Sequence, residues 1–455
     1  MSAKKPYKIM FIIGAVISLM YIFFIGQWDM KTITGWGYDM LDCIKQGIFS
    51  EFPSYTSDLR QMPSNYTMLA NMTTALWLSP VFIIQTLADT VFAMEFYHLW
   101  YKVLFAIVHF VNVYLIGKIL RKLNMPKDNT TIICSLYMLS SVVLLAVIGH
   151  GQVDMVCMLF FLLGVNVLLS DKYYLFALFT GISLIYKPFS MLLVVPILLL
   201  LISKKKSKVI LYTVVFALPY AFNMLLTKIC MPEYNRYVAL VDEQCKEVVG
   251  TNRIEELFAV RFNSILLFWG SLLIVCFICL YLGTHNKVKK YHYFVMPVLG
   301  FMTYAVFVSP SSYWFILIIP VVLFMGQYFE NLSELYLLNL GINIGVTSVI
   351  YLTEKDYSPN PELSILSVIF SRKRELHIYE YFPESMRYYA VFIATTLFVL
   401  CFLIIVGMYI FYNKKKSEAV ICQNTLASTY EKVLFYLQPV PVIGYFIIAM
   451  IEFFV

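Results

Sequence analysis

Charge is what this chain has little of. Only 13% of its 455 residues are Asp, Glu, Lys or Arg, whereas 60% are hydrophobic and 17% aromatic. That balance lies far from the soluble average and excludes a chain of two or three water-soluble domains. Also missing are a GxxxxGK[ST] phosphate loop, a GxGxxG dinucleotide turn and an HExxH helix. ATP-driven transport and zinc proteolysis lose support accordingly. No internal repeat, low-complexity tract or long Gly, Ser or Pro linker divides the chain, so one domain over 1–455 is the simplest organisation. The nine cysteines are scattered, and most, including Cys134, Cys157, Cys276, Cys279 and Cys401, lie inside apolar runs as small packing residues. Cys230 and Cys245 fall in one predicted external loop, where an oxidising compartment would let them pair.

What the sequence has in abundance is apolar segments of about 17 to 25 residues, the length that crosses roughly 30 Å of hydrocarbon. Lipid offers no partner to a free backbone N–H or C=O, so these segments are predicted as α-helices. The fold class is an all-α polytopic membrane protein of about 12 to 13 transmembrane helices with a long first extracytoplasmic loop. The net charge of +7 sits largely in lysine runs beside apolar segments, such as Lys204, Lys205, Lys206 and Lys208, or Lys414, Lys415 and Lys416. These read as orientation signals of cytoplasmic loops rather than a nucleic-acid surface.

Lys4, Lys5 and Lys8 place the N-terminus in the cytoplasm, and Lys8 to Gly26 reads as an uncleaved first helix. The first extracytoplasmic loop then covers 27–97 with interfacial helices, and further extracytoplasmic loops cover 229–262 and 352–388. The apolar stretch Met72 to Thr90 is placed on the outer surface, as an amphipathic or re-entrant element. A crossing there would put Arg121, Lys122 and Lys127 outside, against the positive-inside pattern.

On this topology the unusual polar residues gather on one side. Asp29 follows the first helix in QWD, between Trp28 and Trp36, whose indoles suit an interface and can stack on a sugar. It is a candidate general base, or else a solvated loop acid or helix cap. Asp39 and Asp42 lie in YDMLDCIKQG, which has the spacing of a short helix ended by Gly47. They either bind a sugar hydroxyl or a divalent ion, or form that helix's solvated face. GHGQVD brings His150, Gln152 and Asp154 to the junction of two apolar helices, where amide and carboxylate groups suit a sugar or the orientation of a base. Lys187, in LIYKPF, either snorkels to the interface or binds a lipid phosphate as a point charge. Arg261 closes the middle external loop on the same side.

QWD, GHGQVDMVCMLFFLLG and GISLIYKPFSMLLVVPILLL, spread over the first half of the chain, together resemble the GT-C superfamily of polytopic glycosyltransferases. The likeness is to the branch related to GPI mannosyltransferases and bacterial polyprenyl-phosphate-sugar enzymes. Asp29 is followed by Met30 where better-known members have Tyr or Glu, and SPSSYW stands where some relatives carry a His/Glu turn. The resemblance implies an enzyme of the bacterial plasma membrane, working on its extracytoplasmic face. It would transfer mannose or another hexose from a polyprenyl-phosphate donor to a hydroxyl of a glycan, lipid or protein acceptor, with inversion. Asp29 would be the base, and Lys187, Arg261 or His150 would stabilise the departing phosphate. No nucleotide or certain cofactor is implied, and a divalent cation stays open. A transporter or flippase of lipid-linked saccharides, or a polymerase, is the competing expectation.

Overall fold

Each long apolar run described by the structure closes into a helix. The computed structural model describes residues 6–26, 28–60, 64, 66–237, 264–307, 312–326, 332–353 and 429–454, with isolated positions between 365 and 407. Among the described residues there are 17 α-helices. Six helical stretches are long and apolar enough to cross a membrane: Pro6–Phe24, Met68–Leu87, Met94–Lys122, Ile202–Cys230, Leu266–Thr284 and Thr429–Ile451. The pair Lys127–Met138 and Val142–Gly149, bent by 47°, makes a seventh if counted as one span. Asp154–Leu168, Tyr173–Tyr186, Pro188–Leu200 and Trp314–Met325 are shorter apolar helices. The protein is therefore all-α and carries the helices of a polytopic membrane protein. The sequence-based crossing at 389–413 lies almost wholly outside the described residues.

The site end of the molecule is built from the first eight helices, the eleventh and the short 3-10 segment Ser312–Leu317. Helix α1 (Pro6–Phe24) is joined by a short link to α2 (Trp28–Gln46), followed by α3 (Phe52–Arg60), α4 (Met68–Leu87) and α5 (Met94–Lys122). The stretch read as a first external loop is thus mostly helical. The short helix expected around Asp39 and Asp42 begins earlier, at Trp28, and ends where expected: Gly47 has φ +73°, a conformation that glycine adopts without strain.

Helices α1 and α5 run antiparallel, as a ladder of contacts shows. Lys102 Nζ donates to Ile25 O at 3.0 Å and His109 Nε2 lies 3.0 Å from Ser18 Oγ; farther along α5, Gly117 faces Cys134 on α6 (Lys127–Met138). Helix α4 meets the start of α5 through Trp77 with Trp100 and Gln85 with Tyr97. Its outward face shows Leu76, Pro80, Ile83, Ile84 and Leu87, a three-to-four-residue spacing that makes one apolar stripe.

After α6 a π-helical segment, Val142–Gly149, leads into α7 (Asp154–Leu168), which packs along α8 (Tyr173–Tyr186). Then come α9 (Met191–Leu200), α10 (Ile202–Lys205), α11 (Val209–Cys230), α12 (Ser264–Thr284) and α13 (His292–Phe307). The chain's C-x-x-C spacing, Cys276 and Cys279, sits a turn apart on α12. Next follow α14 (Ile319–Met325), α15 (Ser333–Thr353), α16 (Thr429–Leu437) and α17 (Val440–Phe454). Polar side chains join these last helices in the core. Asn343 Oδ1 accepts from Ser141 N at 2.9 Å, and Gln438 bonds Asn339 and the carbonyls of Tyr336 and Leu434. Interhelical amide bonds of this kind serve as glue where lipid removes the hydrophobic drive between helices.

Candidate active site

Three chain breaks converge at one end of the bundle. The first is the α1–α2 junction, which puts Asp29 in the first turn of α2. The second is the turn GHGQVD between the π segment and α7. Gly151 has φ +66°, and a Cβ built there would stand 2.8 Å from Met30 Cβ. Glycine is thus required twice, for the backbone conformation and for close approach to the residue beside Asp29. The third is Lys187 at the end of α8. Pro188 disfavours the helical region for the residue before it, and Lys187 is extended at φ −147°, ψ +108°.

Contacts between these breaks make one cluster. Gln152 Nε2 donates to Asp29 Oδ2 at 2.6 Å, and Tyr66 OH donates to Gln152 Oε1 at 2.6 Å. Lys187 Nζ lies 3.3 Å from Asp154 Oδ2, with Asp154 0% and Lys187 8% exposed. The Lys187 ammonium also sits over two rings, 5.5 Å from the centroid of Tyr66 and 5.9 Å from that of Trp314, within cation–π range. Trp36 meets Tyr66 edge-on at 5.7 Å, and Trp314 packs on Phe189 at 4.2 Å. Asp29 and Asp154 interact electrostatically. A carboxylate, an amide and an ammonium are therefore held together between aromatic faces. Such a set can take a proton from a hydroxyl, hydrogen-bond a sugar and balance an anion.

Of the residues singled out in the sequence, Asp29, Gln152, Asp154 and Lys187 are brought together. His150 is buried at the start of the turn. Lys187 turns inward to Asp154 instead of snorkelling. Asp42 is not part of the cluster: it lies 13 positions beyond Asp29 on α2, about 20 Å at 1.5 Å per residue. It accepts from Tyr55 OH at 2.6 Å and from Gln46 Nε2 at 2.8 Å. The phenol of Tyr55 is pushed up to about 12, first by that bond to Asp42 and then by partial burial. Arg261 and Cys245 lie outside the described residues. Among the described residues, no three His, Cys, Asp or Glu side chains come together as metal ligands.

Asp39, one turn before Asp42, is 1% exposed and paired with Arg60 through two bonds, Nε to Oδ2 and Nη2 to Oδ1, the latter 2.8 Å. Burial raises the carboxyl of Asp39 above its ordinary range, and the Arg60 guanidinium opposes that rise. Two functional candidates carry no sequence signal of their own: Tyr66, in the segment before α4, and Trp314, at the end of SPSSYW.

Neither a family model nor a curated protein matches the chain. What the site does must therefore be argued from its groups.

Proposed function

We propose that this protein is an integral membrane glycosyltransferase of the GT-C type. It moves a hexose from a polyprenyl-phosphate donor to an acceptor hydroxyl on the extracytoplasmic face. The observation that carries this reading is the hydrogen bond between Asp29 and Gln152 beside the buried Lys187–Asp154 pair, framed by Trp36, Tyr66 and Trp314. Asp29 removes the acceptor proton as the oxygen attacks the anomeric carbon from the face opposite the phosphate. The C–O bond to phosphate breaks, the phosphate takes the electron pair, and the anomeric centre inverts. Lys187 faces the charge that grows on the departing phosphate; a preplaced cation in a water-poor site supplies several kcal/mol there. The aromatic faces suit the apolar faces of a sugar ring. Arg261 and His150 remain proposed phosphate partners, and Asp42 a proposed helper outside the cluster.

The same reading orients the molecule, with the N-terminus cytoplasmic and about 12 to 13 crossings. Helix α4 then lies in the outer headgroup region with its apolar stripe toward lipid. A lipid-saccharide flippase has one observation in its favour, the bend of 47° between Lys127–Met138 and Val142–Gly149, because broken helices recur at transporter sites. The deciding experiment offers purified protein a panel of polyprenyl-phosphate sugars and acceptors and weighs the products. Turnover by the natural chain and none by a folded Asp29→Asn variant is the result expected. Full turnover by that variant removes Asp29 as base, and movement of lipid-linked sugar without any new glycosidic bond favours the flippase.

A further inference from the structure

A base is useful only in the right protonation state and orientation, and Asp29 owes both to a neighbour that itself leans on a third residue. We propose that Tyr66 is a positioning residue which sets the Gln152 amide and thereby holds Asp29 ionised and aimed. This rests on the transferase reading of the cluster.

An ionised carboxylate only accepts hydrogen bonds, so Gln152 must present Nε2 to it. The Tyr66 hydroxyl donates into the amide's other end, Oε1, at 2.6 Å. Donation there polarises the amide and strengthens the N–H offered to Asp29, and a hydrogen bond to the charged form lowers a carboxyl's proton affinity. Without the hydroxyl, Oε1 loses this donor, and the amide is free to turn its oxygen toward a protonated Asp29. The ring of Tyr66 also covers the Lys187 ammonium and meets Trp36. Tyr66 therefore touches both the base side and the cation side of the cluster.

The ring's place does not depend on the hydroxyl. Asn71 Nδ2 donates to Tyr66 O at 2.8 Å, and Thr67 Oγ1 donates to Ile185 O on α8 at 3.2 Å. The next two backbone amides, of Met68 and Leu69, donate to Thr227 Oγ1 and Asn223 Oδ1 on α11. Four bonds staple the segment, so Tyr66→Phe removes one oxygen and leaves the ring over Lys187.

The test uses full-length protein and two readouts. Carbodiimide modifies protonated carboxyls, and peptide mass spectrometry follows its attachment to Asp29 as pH is varied. Tyr66→Phe moves the half-labelling pH of Asp29 up by about one unit, a tenfold change in protonated fraction. Gln152→Leu does the same, and the double variant adds nothing further. Tyr55→Phe, whose hydroxyl bonds Asp42 instead, changes nothing. In turnover, Tyr66→Phe lowers kcat at neutral pH through the lost aim of Asp29, with donor KM within about twofold, and the acidic limb of the pH–rate profile moves up by the same one unit. A labelling curve for Tyr66→Phe that superimposes on the natural one overturns the proposal. Absence of turnover by the natural protein on every sugar donor sinks the transferase reading alone, because the labelling curves still decide Tyr66.

Discussion

Lys187 takes its geometry from the proline that follows it. A lysine continuing α8 would point along that helix's own surface; an extended backbone before Pro188 turns it toward α7 and Asp154. Desolvating two charges is costly, so the pair stabilises little in itself, whereas removing one partner strands the other. Lys187→Met is predicted to lower stability by about 3 to 5 kcal/mol, and Lys187→Met with Asp154→Leu to recover much of that loss. Denaturant unfolding in detergent, compared across the single and double variants, checks it. Asp39 gives a prediction in pH. Its native proton affinity exceeds that of the unfolded chain, so between the ordinary carboxyl range and its raised native value the unfolded state loses its proton first. Its contribution to stability is therefore greatest in acid and declines as pH rises through that window. Asp39→Asn is expected to flatten the unfolding midpoint across the same window, measured as Tm against pH.

At the scale of elements, the legible features were those that act through neighbouring residues. Gly47 stops α2 because φ is positive there, GHGQVD breaks between two apolar runs, and a lysine before proline leaves its helix. These effects are local and show in the sequence. Asp42 was less legible because nothing local said that Trp28–Gln46 is one helix, which separates its two candidate acids by several turns. Tyr66 was not legible at all: its partner Gln152 stands 86 positions away, and no period connects them. The Gly151 turn is where local and distant constraints meet. Gly151→Ala is predicted to cost about 1 to 3 kcal/mol through positive-φ strain and the clash with Met30, and to reduce sugar transfer more than it lowers stability. Thermal unfolding beside the product assay separates the two.

For the whole molecule, composition alone carried the all-helical membrane class, because lipid leaves a spanning backbone few choices. Which apolar helices cross was harder to read. α4 has the length and apolarity of a span, yet its hydrogen bonds to α5 lie at Tyr97 and Trp100, in the first turns of that helix. On the proposed orientation, Asp89, exposed in the turn after α4, lies outside and Lys287, between α12 and α13, lies inside. Cysteines placed at the two positions are expected to react with a membrane-impermeant thiol reagent from opposite sides. Labelling of Asp89→Cys only after the membrane is opened makes α4 a crossing and reverses α5.

The Trp77–Trp100 contact bears on how Tyr66 is kept in place. The two indoles stack at 5.4 Å, and each ring N–H donates to the other residue's carbonyl, at 2.8 and 2.6 Å. A slide of α4 along α5 by even one residue breaks both bonds together. The clasp thus fixes the register of α4 against α5. The start of the same helix is tied independently, by the bonds of Thr67, Met68 and Leu69 to α8 and α11. Held at both places, α4 cannot change register without carrying Tyr66 away from Gln152, so the aim of Asp29 is tied to the seating of a whole helix.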